Sequence, residues 1–384
     1  MRVLWLNEHA AFMGGAEHYI ADAAKLLRDA GVRSTLLYGV GGGTEPSFTA
    51  CFDEAFPRVQ VREQVQADAP DLIYVHRLAD ESILTELLLP GGPPVVRFFH
   101  DHALFCLRDH KYRTLGHETC TRTVGLGCYP CLGFVNRRRG WPPARLRTVG
   151  GLLAQQRATM GLAGFVVGSQ YMKSHVTAHG FDPARVHVIP PFARMPDEVA
   201  APERDPHLLL AVGALLWGKG IDLLLKALTR LPPNVRLSLV GEGHQRALFE
   251  EMAARLGLRD RVHFAGRLPR HALSEVYRRA ACLVMASRTP ETFGLVGPEA
   301  LLHGTPVVAS NVGGIGEWLV HEETGLFFPS GDADALARAI GHILADPDWA
   351  GTLAQQGRTR CLNAFSPERH VRALSDLFRS LTGS

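Results

Sequence analysis

Apolar runs of four to eight residues recur along the chain, each followed by a stretch of helix length. In the first half they are RVLWLN, STLLYGV, DLIYVH and VVRFFH, with a helix from about Ala16, and after an interruption FVVGS and RVHVIP. Runs of this kind, with no strict polar alternation, mark strands buried on both faces, and their alternation with helices predicts parallel βαβ units. The second half repeats the pattern with LLLAVGAL, VRLSLVG, RVHFAG, CLVMAS, TPVVAS and GLFFPS. Between the two series lies a segment rich in proline and acidic residues, which reads as a linker. The expected fold class is therefore α/β. It has two doubly wound domains, at 1–190 and 207–365, a linker at 191–206 and a final helical segment at 366–384. Ligands are expected in a crevice at the carboxyl ends of the two sheets. An irregular Cys-rich insertion at about 102–133 interrupts the first domain.

Composition narrows the class. A chain of 384 residues exceeds what one core usually supports, and 46% hydrophobic with 21% charged residues argues against disorder. Met1 to Asn7 reads as a strand rather than a secretory signal, and no stretch reaches the roughly 18 apolar residues of a membrane span. A cytoplasmic location is expected. A net charge of +3 gives no global case for nucleic acid. The charge is uneven, however: between Glu118 and Asp182 there is no acidic residue, while Arg122, Arg137, Arg138, Arg139, Arg145, Arg147, Arg157 and Lys173 all fall there. Such a stretch is either a solvated basic face or a surface for an anionic partner. Within it, RRRGWPPARLRTVGGLLAQQ fits a helix packed on the first domain's sheet, and also peripheral contact with the inner membrane surface.

The richest segment for chemistry is PETFGLVGPEALLHGTPVVASNVGG, from Pro290 to Gly314. It places Glu291 ahead of a short helix and Glu299 in that helix's first turn. The amides of Gly294, Leu295 and Val296 stand at the helix start, where donors lack a carbonyl one turn back and suit a diphosphate. The carboxylates suit hydroxyl groups of a sugar or a ribose, which donate to an ionised acceptor.

This segment resembles the signature of glycosyltransferase family 4, a retaining family with the GT-B fold of two Rossmann-like domains facing a cleft. The resemblance covers essentially the whole chain. It rests on the spacing of Glu291 and Glu299, on the strand Gly304 to Val308, and on the turn Gly313 to Glu317. It implies that Glu291 holds hydroxyls of the donor sugar and Glu299 the ribose, in a donor pocket that also takes in Phe293. AVGALLWGKG resembles the family's phosphate-binding strand and loop, with Gly213 and with Lys219 neutralising the departing diphosphate. Ala214 departs from the family, which carries an arginine there; Lys219, backbone donors, Arg267 or Arg288 would have to compensate. Gly14 and Gly15 resemble the amino-terminal Gly-Gly loop. His100, after VVRFFH, sits where the family has a histidine near the sugar and diphosphate. Gly241, Gly243 and Gly266-Arg267-Leu268 resemble loops around the nucleotide.

The resemblance further implies donor binding mainly to the second domain and retention of anomeric configuration, with His100, Lys219 and Glu291 as the catalytic set. The last helix should cross back to the first domain. A UDP-sugar is the favoured donor, with GDP-mannose next; the acceptor is a sugar, a lipid-linked glycan or a small molecule. No cofactor is expected for catalysis, since no Asp-x-Asp pair stands where a metal would be held. A sugar-nucleotide epimerase, a phosphorylase or a non-catalytic scaffold on the same fold are the rival readings, the last supported by Ala214. Separately, Cys106, Cys120, Cys128 and Cys131 form a cluster ending in C-x-x-C. It is read as a structural zinc site, as reduced thiols, or as a redox pair, with His102, His110 and His117 as competing ligands.

Overall fold

The computed structural model describes residues 1–41, 43–88, 90–113, 118–131, 135–137, 144–193 and 203–383, with 135–137 and 144–146 described as backbone alone. The chain forms two compact units. The first comprises Met1–His110, Arg122–Phe192 and Pro367–Ser384, and the second Lys111–Thr121 and Ala193–Ser366.

The first unit is built on β1 (Arg2–Asn7), β2 (Arg33–Tyr38), β3 (Glu54–Pro57), β4 (Leu72–Val75) and β5 (Val95–Phe99), with a small antiparallel pair β6 (Val135–Arg137) and β7 (Ala144–Leu146), then β8 (Gly164–Val167) and β9 (Val186–Val188). Its main sheet is parallel throughout, in the order β3-β2-β1-β4-β5-β8-β9. Successive side chains on a strand point to opposite faces. Thus Leu4, Leu6, Ile73, Val75, Phe99, Phe165 and Val167 enter one apolar core. On the other face Trp5 lies edge-on to Tyr74 at 5.1 Å, and Tyr74 meets Phe378 at 5.2 Å. Phe378 belongs to the helix Pro367–Thr382, which packs beside the helix Gly15–Asp29. The two are pinned by His370, which bonds the Tyr19 hydroxyl at 2.9 Å and the Pro190 carbonyl at 2.8 Å.

The second unit is a six-stranded parallel sheet of β10 (Asp205–Val212), β11 (Arg236–Val240), β12 (Val262–Gly266), β13 (Ala280–Met285), β14 (Val307–Ser310) and β15 (Leu326–Phe328), ordered β12-β11-β10-β13-β14-β15. The same alternation sends Leu209, Leu237, Leu239, Cys282, Val284 and Val308 into one core. Leu210, Val240, Leu283, Met285, Val307 and Ala309 enter the other. Helices therefore cover both faces, which is why these strands read as unbroken apolar runs. In each sheet the first strand lies inside, and the strand order reverses between β1 and β4, and between β10 and β13. Open α/β sheets bind ligands at the carboxyl end of such a switch point.

Three features depart from the sequence reading. β3 is an edge strand whose residues are half-buried or exposed, so it carries no apolar run. β6 and β7 lie within the arginine-rich stretch; of its side chains Arg137, Arg138, Arg139 and Arg145 lie outside the described set, as do most of the linker residues. Arg147 is described, and it is spent on the Ala103 carbonyl at 2.7 Å and on Asp109. Finally, the insertion does not stay with the first unit: Lys111–Thr121 packs as part of the second. Among the described residues no helix is long and apolar enough to cross a membrane.

Candidate active site

The carboxyl ends of β10, β11 and β12 are stitched into a shelf by backbone bonds. Gly213 N–H donates to the Val240 carbonyl at 2.9 Å, Leu215 N–H to Glu242 at 3.0 Å, and Gly241 N–H to Gly266 at 2.8 Å. Gly213, Gly241 and the start of the Arg267-Leu268 loop are thereby brought together. Ala214 is exposed beside them, and Arg267 is exposed just past β12. The loop after β10 closes with Gly220 at φ 70°, where a Cβ would fall 1.8 Å from the Ala286 carbonyl oxygen. Only glycine fits so tight a passage, and it brings Lys219 against the end of β13.

There Lys219 Nζ donates to Glu291 Oε1 at 2.6 Å, and the Ser287 hydroxyl donates to the same oxygen at 2.5 Å. The Glu291 side chain is 12% exposed and that of Lys219 35%, so the pair is reachable from solvent yet ordered. The Glu291 backbone is fixed by Gly314 N–H, which donates to its carbonyl at 2.7 Å. Gly313, at φ 63°, lets that strand approach, since a Cβ there would stand 2.2 Å from the same carbonyl oxygen. Phe293 is buried, its carbonyl accepting from Trp318 Nε1 at 2.8 Å, and its ring meets that of Phe365 edge-on at 5.2 Å. The helix Val296–Leu302 follows.

Glu299 is held on the first turn of that helix. Tyr277, fully buried, donates its hydroxyl to Glu299 Oε2 at 3.0 Å, and His303 Nδ1 donates to the Glu299 carbonyl at 2.7 Å. Burial, with the adjacent carboxylate second, pushes the Tyr277 phenol well above its ordinary range, so it stays a donor. Arg288 does not take the place of the missing arginine. It is buried and bidentate on Asp222, at 2.6 and 2.8 Å, and donates to the Trp217 carbonyl at 3.1 Å. A guanidinium so occupied has no fork left for a phosphate.

In the first unit Gly14 caps the helix Gly15–Asp29. His100 lies at the carboxyl end of β5, stacked on Phe98 with ring centroids 4.1 Å apart. Its Nε2 is 2.8 Å from Nδ1 of buried His76. Burial pushes His100 down to about 3, against an upward pull from Asp101, and burial also takes His76 well down. Both rings are neutral, so one shared proton lies between them. The His76 Nε2 is buried with no hydrogen-bond partner among the described residues. An orphaned lone pair costs less than an orphaned N–H, which puts the shared proton on His76 Nδ1 and the proton of His100 on its own Nδ1.

The four clustered cysteines are not gathered. Among the described residues no group of three or more His, Cys, Asp or Glu side chains is arranged to hold a metal ion, and all seven cysteines are thiols. Cys106, Cys128 and Cys131 go with the first unit, while Cys120 goes with the second, its N–H donating to the Lys111 carbonyl at 2.7 Å. Of the competing ligands, His117 lies outside the described residues.

Ser287, Tyr277, Asp222 and His76 escaped the sequence reading. Ser287 follows a strand end and sits four residues before Glu291, which is a usable signal. Tyr277 and His76 are separated from their partners by 22 and 24 residues and carry none.

Two parallel-sheet Rossmann-like units are the architecture of the GT-B fold. The sequence matches agree. Residues 13–193 match Glycosyltransferase Family 4, residues 196–360 match Glycosyl transferases group 1, and the chain belongs to this family. Among relatives, glycogen synthase of Mycobacterium tuberculosis is 33% identical over 189 residues, covering 48% of this chain and 45% of that protein. D-inositol 3-phosphate glycosyltransferase of Xylanimonas cellulosilytica is 33% identical over 227 residues, covering 54% of each. The chain thus spans about half the length of the curated relatives it matches. Of solved structures, Anabaena HepE in complex with UDP-glucose superposes with a TM-score of 0.74 at 21% identity, covering 99% of this chain and 100% of that one, a likeness of fold.

Proposed function

We propose that the chain transfers a sugar from a nucleoside diphosphate sugar to an acceptor hydroxyl with retained configuration, the donor being held by the second unit. The observation that carries this is the convergence of Lys219 and Ser287 on one oxygen of Glu291. A carboxylate ordered in that way offers its remaining acceptor capacity to sugar hydroxyls, while the ammonium next to it faces the diphosphate. Glu299, oriented by Tyr277, takes the ribose hydroxyls. The Gly213, Gly241 and Gly266 shelf, with Leu268 beside it, receives the nucleotide through backbone groups. Arg267 is the arginine that stands in for the one lacking at Ala214.

In the reaction the bond from the anomeric carbon to the diphosphate oxygen breaks and the acceptor oxygen forms its bond on the same face. A diphosphate oxygen takes the acceptor's proton, so no side-chain base is needed. The growing charge on the diphosphate is met by Lys219 and by the amides of Gly294, Leu295 and Val296. In the first unit, His100 is neutral and has a hydrogen bond rather than charge to offer, and Gly14-Gly15 leaves its backbone open to close approach. A UDP-sugar is favoured, a reading supported by the UDP-glucose bound to a protein of the same fold. A cytoplasmic site of action follows from such a donor.

The test is a panel of UDP- and GDP-sugars, read for thermal stabilisation and for release of the nucleoside diphosphate. One donor should be turned over, with Glu291→Gln and Lys219→Ala each losing roughly a hundredfold or more. Epimerised donor, release of inorganic phosphate, or turnover that survives both substitutions would reject the proposal.

A further inference from the structure

The segment Lys111–Thr121 comes from the insertion after β5, yet it packs with the second unit. Its described residues, 111–113 and 118–121, run as the two paired sides of an arm. Tyr112 and Thr119 are bridge partners, Arg113 N–H donates to the Glu118 carbonyl at 2.8 Å, and Cys120 N–H donates to Lys111 at 2.7 Å. The arm touches the active-site loops at two places. The Thr119 hydroxyl donates to the Arg288 carbonyl at 2.9 Å. The Tyr112 ring lies against Gly218, where a Cβ would come within 2.8 Å of Tyr112 Cε1 and 2.4 Å of Thr289 Oγ1.

Gly218 immediately precedes Lys219, and Arg288 immediately follows Ser287. The two loops are also bonded to each other: Arg288 N–H donates to the Gly218 carbonyl at 2.7 Å and Thr289 N–H to the same oxygen at 3.0 Å. The arm therefore closes on the two backbone segments that carry both partners of Glu291. We propose that this arm is part of the donor-site machinery, with Thr119 and Tyr112 as positioning residues for Lys219 and Ser287. The inference rests on the proposed function for its kinetic consequence, and on the contacts alone for its structural one. Neither residue touches the reacting atoms in this scheme. Each fixes where the ammonium and hydroxyl stand, and a displacement of about 1 Å at such groups can cost on the order of a hundredfold in rate.

The test uses the full chain with Thr119→Val, which keeps shape and removes the donor, and Thr119→Ser, which restores it. Reductive methylation followed by mass spectrometry gives the rate at Lys219 relative to exposed Lys226, and needs no substrate. With Thr119→Val the Lys219 to Lys226 ratio should rise about fivefold. kcat for donor turnover should fall about tenfold, with KM within about twofold. Thr119→Ser should restore both. If Thr119→Val does not fold, Tyr112→Ala is expected to raise the ratio likewise. An unchanged ratio in a folded variant, or failure of serine to rescue, overturns the inference even if the wild-type chain is an active transferase. A ratio that rises and is rescued, in a wild-type chain that turns over no nucleotide sugar, upholds the arm and rejects the functional reading.

Discussion

The chemistry concentrates on one carboxylate oxygen that accepts from both an ammonium and a hydroxyl, so single atoms should be separable in kinetics. Ser287→Ala leaves Lys219 bonded to Glu291 and removes one donor, and is expected to lower kcat about fivefold to tenfold with little change in donor binding. Tyr277→Phe acts on the other carboxylate. It releases Glu299 from its donor at 3.0 Å. The expected result is a donor KM raised about fivefold with kcat nearly unchanged, because the ribose is bound alike in ground and transition states. His100 yields a prediction of the opposite kind. Its imidazole titrates only near 3, so its protonation produces no acid limb in the kcat profile between pH 8 and pH 5. A limb near pH 6.5 that vanishes in His100→Ala would contradict that placement.

Among the elements, the loop from β10 to Gly220 and the loop after β13 are braced by Arg288 and Asp222, whose side chains are 5% and 1% exposed. Removing one partner of such a pair leaves a buried charge alone and costs about 3–5 kcal/mol, whereas replacing both with apolar groups costs much less. Arg288→Met should therefore destabilise strongly in urea, and the double variant with Asp222→Leu should recover most of the loss. The sequence made the strands legible because their faces are both covered, and it made Lys219, Glu291 and Glu299 candidates because the first two lie in glycine-containing loops that follow strands and the third on the helix start that comes next. It could not assign Arg288. Free and salt-bridged arginines look alike in a sequence, and Asp222 lies 66 positions away. The arm was illegible for a related reason. Its place in the chain suggested the first unit, and contacts distant in sequence, among them Thr119 with Arg288 and Tyr112 with Gly218, set it in the second.

At the level of the whole molecule, the first unit is sealed by buried neutral histidines. His370 must donate from Nδ1 to the Pro190 carbonyl and therefore accepts from Tyr19 at Nε2; burial holds it down at about 4. In the unfolded chain the same ring takes up a proton near 6.5. Between those values the unfolded state binds more protons, so stability falls as pH drops from about 6.5 toward 4 and is fully present above. For His370 alone the loss at pH 5.5 is on the order of 1 kcal/mol, with His76 and His100 acting in the same direction. Urea unfolding at pH 7.5 and 5.5 checks this, and His370→Gln should reduce the difference by about the share of His370.

The central claim is that the second unit holds a nucleoside diphosphate through Lys219, with Glu299 at the ribose. Calorimetric titration of the full chain with UDP, with GDP as the alternative, tests it most directly. One of the two should bind, Lys219→Ala and Glu299→Gln should each weaken that binding about tenfold or more, and His100→Ala should leave it within about twofold. Binding of neither nucleotide, or binding untouched by both substitutions in the second unit, would contradict the claim.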